Sequence, residues 1–317
     1  MRAAINALAV DLIGGPADEV VLAPPHTVLK TSSGKIRRAA SREVYLRGAI
    51  GERVAPVWWQ FASLAAASVR GRLVQLGRTV RSLGYACYVW AVFGALGLVA
   101  IAAALAIPGA DQRRAALHSI ARLMVRLSGV PVSVSGLERL PATGRVVVVA
   151  NHASYVDGLL LYALLPRRFV IAAKEGLAQQ FFVRRLIGAT GARFVERFDP
   201  QRGIEDTRAL GALAAGGQAL GFFPEGTFTR SPGLAPFRMG AFVIAAQTGA
   251  PVVPVAFRGS RSALRAGSWI VRPTPVSVAV GAPIVPEGTD WAAAVKLRDA
   301  ARAEILRHCG EPDIGKG

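Results

Sequence analysis

The residues best suited to chemistry are a histidine and an aspartate that follow a run of four valines. Residues 146–149 are a β-branched run bounded by polar residues, which predicts a buried strand covered on both faces. His152 follows this strand and Asp157 comes five residues later. On one continuous helix the two side chains would lie about 140° apart, so they can meet only if His152 lies in a turn and Asp157 in the next helix. A carboxylate on one imidazole nitrogen would leave the other to take a proton from a hydroxyl group.

The segment around this pair predicts where the chemistry sits in the fold. Open α/β sheets place their sites at the carboxyl ends of strands, which is the position of His152. Residues 159–165 predict the apolar start of the following helix, with Ser154 as its N-cap. Ser154 could also be taken for a nucleophile, but capping suits it better.

Four sequence blocks carry a family resemblance. Asn151-His152-x-Ser154-x-x-Asp157 resembles the first block of the glycerolipid acyltransferases, and residues 191–197, 223–230 and 253–255 resemble the second, third and fourth blocks. A lone HxxxxD pair is a weak signal, whereas four blocks in order over residues 129–285 are a strong one. Glu196 stands where the family often has aspartate, which keeps the charge. The resemblance implies transfer of an acyl group from a thioester to the hydroxyl of a phosphate-bearing lipid.

The resemblance also implies roles for individual residues. It makes His152 the general base and Asp157 the residue that orients it. It assigns substrate binding to the second, third and fourth blocks, at Arg193, Arg197, Glu225, Gly226, Thr227, Arg230 and Pro254.

Local chemistry supports some of these roles more than others. Arginine can grip a phosphate bidentately, which suits Arg230 and either Arg193 or Arg197. A glycine lets the backbone approach a ligand closely. The carboxylate of Glu225 would repel phosphate, which favours ordering of the loop or of an arginine. Pro254 cannot donate a ladder hydrogen bond, which predicts an edge strand or a bulge; the resemblance links it to the acyl chain or its donor.

Composition narrows the class of partner. The chain has 38 Lys and Arg against 20 Asp and Glu, a net charge of +18, and 52% hydrophobic residues. Such a balance fits either nucleic acid or anionic lipid, but no helix-turn-helix, zinc-finger or RNA-stacking signature accompanies it, and a long apolar stretch does. The four histidines and two cysteines form no cluster that indicates a metal site, and no cofactor is expected besides the donor substrate.

Residues 51–128 are predicted to be a membrane-associated helical region. Aromatic and basic residues near its start fit a helix in the membrane interface. Residues 83–110 then contain no charged side chain, a stretch longer than the ~20 residues needed to cross the hydrocarbon core. Arginines flank it on both sides and give no orientation, while glycines at 84, 94 and 97 interrupt it. The segment could span the membrane, but the acyl donor belongs in the cytoplasm, which favours a re-entrant hairpin with both ends there; a buried soluble helix is the other alternative.

Residues 1–50 carry a second resemblance. Residues 24–45 are similar to the last motif of adenylate-forming enzymes, most closely the fatty acyl-AMP ligases, in which the lysine matching Lys35 stabilises charge during adenylation. A ligase needs a large nucleotide-binding body, so this segment is expected to adenylate nothing by itself. It is interpreted as the tail of a ligase once fused in front, or of a longer reading frame. A basic solvated arm is the alternative.

Residues 129–317 predict an α/β domain with a mainly parallel sheet and flanking helices. The expected elements are a basic helix at 113–127, an edge strand within 129–136, further strands at 169–173, 192–195, 219–223, 252–257, 269–272 and 276–280, and helices at 181–187, 205–215, 239–247 and 291–309.

These features together predict a membrane-bound O-acyltransferase whose active site faces the cytoplasm. The expected acceptor is a lysophospholipid, foremost 1-acylglycerol 3-phosphate, and the donor is acyl-CoA or acyl carrier protein. One alternative is transfer to another lipid, coupled to a fatty acyl-AMP ligase. A second is a catalytically silent basic membrane scaffold, against which the intact His152 and Asp157 argue; nucleic-acid binding comes third.

Overall fold

A computed structural model describes residues 1–25, 27–31, 34–48, 50, 57–166, 169–174, 181–195 and 200–315. The chain divides into two compact units, Met1–Gln75 and Leu76–Gly317. The domain boundaries expected at residues 50 and 128 stay predictions.

The first unit contains two short helices, α1 (Arg2–Ile13) and α2 (Arg38–Leu46). Between them, Lys30 and Ile36 form an isolated antiparallel bridge, which places Lys35 in a tight turn. The Tyr45 hydroxyl donates a hydrogen bond to Glu19. These contacts are local, and the segment has no buried residue in α2.

Two helices precede the sheet, α3 (Val57–Ala106) and α4 (Ala110–Leu127). The re-entrant hairpin expected within residues 83–110 is wrong, because α3 is one continuous helix. A glycine inside a helix costs only about 1 kcal/mol, too little for Gly84, Gly94 or Gly97 to break so long a helix. Within the described helices, Gly71–Ala106 is long and apolar enough to cross a membrane, and only 17% of its most apolar window is buried.

Helix α4 turns back antiparallel to the last part of α3. The hydroxyl of Tyr85 donates to the Ser128 carbonyl at 2.7 Å, and that of Tyr88 donates to the Leu127 carbonyl at 2.9 Å. Val89 of α3 is fully buried against Leu264 and Val271. Helix α3 is thereby attached to the loops at the carboxyl side of the sheet.

The remaining chain alternates strands and helices. The strands are β1 (Val132–Ser135), β2 (Val146–Ala150), β3 (Val170–Lys174), β4 (Arg193–Val195), β5 (Ala219–Phe222), β6 (Val252–Arg258) and β7 (Val276–Val280). The helices are α5 (Val156–Leu164), α6 (Phe181–Ala189), α7 (Pro200–Ala215), α8 (Gly240–Thr248), α9 (Ser260–Ala263) and α10 (Trp291–Cys309).

The strands form a single sheet in the order β1-β7-β6-β2-β5-β3-β4. Every neighbouring pair is parallel except β6 with β7, which is antiparallel. The predicted fold class, a mainly parallel α/β sheet with flanking helices, is confirmed. Strand β1 lies at the edge, as expected for its alternating sequence.

The valine run forms the centre of the core. All five residues of β2 are buried. Val148 packs with Leu161 of α5 on one face, and Val147 packs with Phe242 of α8 and Ile305 of α10 on the other. Burial on both faces explains why the strand is apolar at every position.

Strand β6 differs from the expectation for Pro254. The edge alternative is wrong, because β6 lies between β2 and β7. The bulge alternative is confirmed: Val255 pairs with Val280 but Val252 pairs with Ile284, so three steps along β6 correspond to four along its partner. An interior strand can hold this proline because the ladder is already interrupted beside it.

The strand expected at residues 269–272 is also wrong, since this segment is irregular. Its main-chain groups are used elsewhere. The Arg272 amide donates to the Ala263 carbonyl at 2.8 Å, and the Trp269 carbonyl accepts from the indole of Trp90 at 2.7 Å. The segment is therefore a loop that contacts α3.

Candidate active site

The site begins where β2 ends, and Asn151 fixes that point. Its side-chain amide donates to the Phe257 carbonyl at 3.0 Å and its oxygen accepts from the Phe257 amide at 2.7 Å. Both groups are buried. Asn151 therefore extends the pairing of β2 with β6 by one position, and His152 leaves the sheet from a fixed place.

Asp157 holds the turn that carries His152. Its side chain is fully buried, and Oδ2 lies 3.1 Å from His152 Nδ1. The same oxygen accepts from the amides of Ala153 at 2.6 Å and Ser154 at 2.7 Å. An ionised Asp157 accepts from Nδ1, so Nδ1 carries the proton and Nε2 keeps the lone pair. The predicted arrangement, His152 in a turn and Asp157 in the first turn of α5, is confirmed.

The capping role expected of Ser154 is met only in part. The N-cap position is Tyr155, which makes no side-chain capping bond, but the Ser154 hydroxyl accepts from the amide of Val156, the first residue of α5, at 3.4 Å. The same hydroxyl donates to the Leu264 carbonyl at 2.6 Å and is buried. The carboxylate of Asp157 accepts from the two amides before the helix, so the two side chains share the amides at its start.

Aromatic rings hold the imidazole on two sides. Phe223 stacks on His152 with ring centroids 4.3 Å apart, and Phe228 meets it edge-on at 4.5 Å. Tyr155 packs edge-on against Phe228 at 4.7 Å. The His152 side chain is 17% exposed, so it is held between apolar rings yet open along part of its edge.

Glu225 joins the histidine turn to a second loop. Its Oε1 accepts from the His152 amide at 2.6 Å and its Oε2 from the Ala235 amide at 2.9 Å. Burial raises the pKa of this carboxyl to about 7, against the two amide hydrogen bonds, which lower it. Both oxygens contact main chain, which supports the loop-ordering role; substrate binding by Glu225 stays a prediction.

The third block turns sharply after Glu225. Gly226 has a φ of +78°, and a Cβ there would lie 2.8 Å from Nε of Arg238. Arg238 thus reaches the loop backbone beside Glu225. Sequence reasoning missed this arginine because it lies outside the four blocks and no spacing pattern marks it. Thr227 follows, exposed.

The predicted phosphate-binding arginines do not all gather here. Arg230 is exposed, and its guanidinium donates to the carbonyls of Ala266 at 3.1 Å and Gly267 at 3.5 Å. Arg193 lies on β4, and two strands separate β4 from β2, a spacing of about 14 Å. Arg197 and Glu196 lie outside the described residues. Arg230 thus lies on the loop that follows Glu225 and Arg193 lies at the sheet edge, and phosphate binding by either residue stays a prediction.

Pro254 lies deeper than a surface contact with substrate would require. It is buried and pairs with Val149 of β2. A Cβ on Gly281 would lie 2.8 Å from its ring. The contact with the acyl chain or its donor stays a prediction.

Taken together, the site brings together an imidazole, a buried carboxylate that contacts it, and a loop that carries Arg230. It lies at the carboxyl end of the central strand β2. In the part of the chain that the structure describes, no group of three or more His, Cys, Asp or Glu side chains could hold a metal ion.

The chain is similar to known acyltransferases in sequence and in fold. The family model described as Acyltransferase matches residues 131–258. The chain is 30% identical over 206 residues to 1-acyl-sn-glycerol-3-phosphate acyltransferase of Cocos nucifera, covering 63% of this chain and 66% of that protein. It is 34% identical over 204 residues to the chloroplastic 1-acyl-sn-glycerol-3-phosphate acyltransferase BAT2 of Brassica napus, covering 61% and 56%.

The chain thus spans between about half and two thirds of the length of these curated relatives. The crystal structure of the 1-acyl-sn-glycerophosphate acyltransferase PlsC from Thermotoga maritima shares the fold. Its TM-score is 0.60 at 21% identity, and the match covers 73% of this chain and 97% of that one. The residues that match the Acyltransferase model, 131–258, include His152, Asp157 and the loop after Glu225.

Proposed function

We propose that the protein transfers a fatty acyl group from a thioester to the free hydroxyl of 1-acylglycerol 3-phosphate. The observation that carries this proposal is the contact between His152 Nδ1 and the buried Asp157, which leaves Nε2 as the proton acceptor of a side chain that is 17% exposed. The names of the Cocos nucifera and Brassica napus relatives support the acceptor.

The proposed reaction has two bond changes at the thioester carbonyl. Nε2 of His152 takes the proton of the acceptor hydroxyl as its oxygen attacks the carbonyl carbon. Collapse of the tetrahedral intermediate breaks the carbon–sulfur bond, and the imidazolium returns the proton to the thiolate. Asp157 stabilises the imidazolium between these steps. Ser154 is not a nucleophile here, because its buried hydroxyl is committed to the Leu264 carbonyl, and no metal or cofactor enters.

The loop that follows Glu225 is proposed to hold the acceptor's phosphate. Gly226 itself is buried, whereas Thr227 and Arg230 are exposed. Arg238 adds a second guanidinium beside the same turn. Arg193 or Arg197 of the second block remains a proposed second contact, at the sheet edge.

Membrane association follows from α3. Its exposed apolar side chains include Leu98, Val99 and Leu105, and burial of such a surface in lipid is favourable. We propose that α3 embeds in the membrane and that the site faces the cytoplasm, where acyl-CoA and acyl carrier protein are found.

A second candidate keeps the chemistry and changes the acceptor. Lys35 lies in a tight turn closed by the Lys30–Ile36 bridge, the kind of exposed loop that the ligase resemblance requires. Residues 1–50 would then mark a former fusion to a fatty acyl-AMP ligase, and the acceptor would be a less common lipid. A silent scaffold is disfavoured because the His152–Asp157 contact is intact.

The test is acyl transfer by the protein reconstituted in membranes. Labelled acyl-CoA or acyl carrier protein is offered with a panel of lysolipids, beside a His152→Ala control. We expect product with 1-acylglycerol 3-phosphate and none in the control. Product in the control would refute the general-base role. Transfer to another acceptor only would favour the second candidate, and no transfer from either donor would refute the acyltransferase proposal.

A further inference from the structure

The loop that leaves the site after Glu225 returns to the same residue. Its first residue is Gly226 and its last is Ala235, whose amide donates to Glu225 Oε2 at 2.9 Å. We call residues 226–235 the acceptor loop. Glu225 holds both ends of this loop, because it precedes Gly226 in the chain and accepts a hydrogen bond from the Ala235 amide. The residues between must be held by other contacts.

That support comes from a segment far away in sequence, residues 311–314, which we call the strap. The Leu234 amide donates to the Pro312 carbonyl at 2.8 Å, and the Ile314 amide donates to the Leu234 carbonyl at 3.3 Å. Leu234 is 1% exposed. The strap therefore pairs with the loop as a short parallel bridge, recorded between Leu234 and Asp313.

Arg302 of α10 binds both the strap and the acceptor loop. Arg302 donates to the Leu234 carbonyl at 2.9 Å and to Asp313 at 2.6 and 3.2 Å. The same guanidinium thus contacts both the loop and the strap. Helix α10 in turn packs in the core through Ile305, so the strap rests on a rigid element.

Glu311 connects the strap to the acceptor loop at Gly233 and, through Arg261, at Thr229. Its Oε2 accepts from the Gly233 amide at 2.6 Å, and its Oε1 accepts from Arg261 Nε at 2.7 Å. Arg261 also donates a hydrogen bond to the Thr229 carbonyl at 2.5 Å. The side chains of Glu311 and Arg261 are only 12% and 14% exposed, so solvent screens this pair weakly.

The two residues proposed to meet the acceptor lie beside these supported positions, and Arg230 is itself held by the carbonyls of Ala266 and Gly267. Thr227 and Arg230 are exposed, and each lies within two residues of a pinned position. Movement of the pinned carbonyl of Thr229 would displace both. The strap therefore controls the geometry of the residues proposed to meet the acceptor's phosphate, without touching the acceptor itself.

We propose that Glu311 is a positioning residue, which acts through Arg261 and Gly233 to hold the acceptor loop in its binding geometry. The structural part stands on the contacts alone, while the effect on the acceptor rests on the proposed function. Loss of Glu311 is expected to loosen the loop and weaken acceptor binding, with little effect on the His152–Asp157 pair.

The first measurement needs no activity. Trypsin can cleave after Arg230 only when the loop opens, so native protein is digested briefly and the fragment that ends at Arg230 is followed by mass. We expect cleavage about tenfold faster in Glu311→Ala, with Glu311→Gln intermediate because its amide oxygen can still accept one hydrogen bond. Glu287→Gln, which removes an exposed ion pair with Lys296, should match the wild type.

A global loss of stability must be separated from local opening. Ile305→Val trims a fully buried residue of α10 that does not contact the acceptor loop by any hydrogen bond, and serves as the destabilised control. Rapid cleavage after Arg230 in this variant, equal to that of Glu311→Ala at matched stability, would overturn the positioning role. Unchanged cleavage in Glu311→Ala would overturn it as well.

The second measurement addresses the acceptor. The KM for 1-acylglycerol 3-phosphate is expected to rise about tenfold in Glu311→Ala while kcat stays within about twofold. Faster cleavage with an unchanged KM would overturn the effect on the acceptor. If the wild type shows no transfer although Glu311→Ala is cleaved faster, the proposed function fails and the structural role of the strap stands.

Discussion

Replacement of Asp157 by asparagine tests the proposed mechanism, because it removes the negative charge beside His152. Asparagine has nearly the same shape, and its side-chain oxygen can still accept from the amides of Ala153 and Ser154. The lost charge weakens each of these two bonds by about 1 kcal/mol. We therefore expect the fold to survive with its free energy of unfolding lowered by about 2 kcal/mol.

The catalytic effect should be much larger. His152 Nδ1 lies 3.1 Å from Asp157 Oδ2, where the attraction between an imidazolium and a carboxylate is about 5 kcal/mol at an effective dielectric constant of about 20. That attraction exists only after His152 has taken the proton. Its loss should lower kcat by between about 10³-fold and 10⁴-fold, which resembles the loss of about 10⁴-fold for the same exchange in serine proteases.

The assay is the initial rate of acyl transfer at saturating donor and acceptor, in detergent micelles, with circular dichroism as the check of fold. Asp299→Asn serves as the control, because Asp299 is an exposed residue of α10 paired only with Arg298. A folded Asp157→Asn enzyme whose kcat stays within tenfold of the wild type would refute the reasoning.

Three further changes probe the loop and the helix. Glu225 has a higher pKa in the folded chain, about 7, than its ordinary value of 4.5, so its proton stabilises the fold below pH 4.5 and this contribution is lost as pH rises to 7. Denaturation at pH 5 and pH 8 should therefore show wild-type stability falling by roughly 3 kcal/mol relative to Glu225→Gln; a constant difference would count against the shift. Gly226→Ala and Gly217→Ala both place alanine at a positive φ, but only Gly226 has a guanidinium nitrogen 2.8 Å from the new Cβ. Both should lose about 1 kcal/mol in thermal denaturation, and only Gly226→Ala should raise the acceptor KM; equal KM values would contradict the loop's role. Val99→Asp on α3 should lower the membrane-bound fraction in flotation assays, since a carboxylate in a bilayer costs about 3 kcal/mol, whereas a fraction equal to the wild type's would argue against embedding of this face.

The sequence patterns that depend on local physics predicted the fold well. The valine run at 146–149 is buried on both faces, as its composition indicates. Helices α8 and α10 end at glycines in the left-handed conformation, Gly249 and Gly310. These features depend on side-chain size, branching and backbone freedom, which each residue carries by itself.

The wrong predictions concern properties of the assembled structure. Glycines in α3 were expected to turn the chain, but a helix tolerates them where its neighbours keep their bonds. An edge was one expectation for Pro254, yet a one-residue shift in register permits a proline inside the sheet. Ser154 was expected at the N-cap of α5, but Tyr155 takes that position, and the Ser154 hydroxyl donates to the Leu264 carbonyl while accepting from the Val156 amide at 3.4 Å.

The site was predictable where one short segment contained all of its parts. His152 and Asp157 are five residues apart, so the turn between them could be deduced from helix geometry. Arg238 and Glu311 were missed because their contacts with the acceptor loop arise from the path of the chain, and nothing in their own sequence neighbourhood marks them. The predicted grouping of Arg193 with the loop did not anticipate that β4 would lie at the sheet edge.

The two hydrogen bonds between Asn151 and Phe257 fix the position of His152, the proposed general base. A slip of one residue between β2 and β6 would carry His152 about 3.3 Å along the strand axis. A displacement of that size would separate the His152 amide from Glu225, which follows a different strand and lies 2.6 Å away, whereas Asp157 lies in the same turn and would move with His152. The side-chain amide can match only one peptide group at a time, so it forbids intermediate alignments. Asn151 therefore fixes where His152 leaves the sheet, because it fixes the register between β2 and β6.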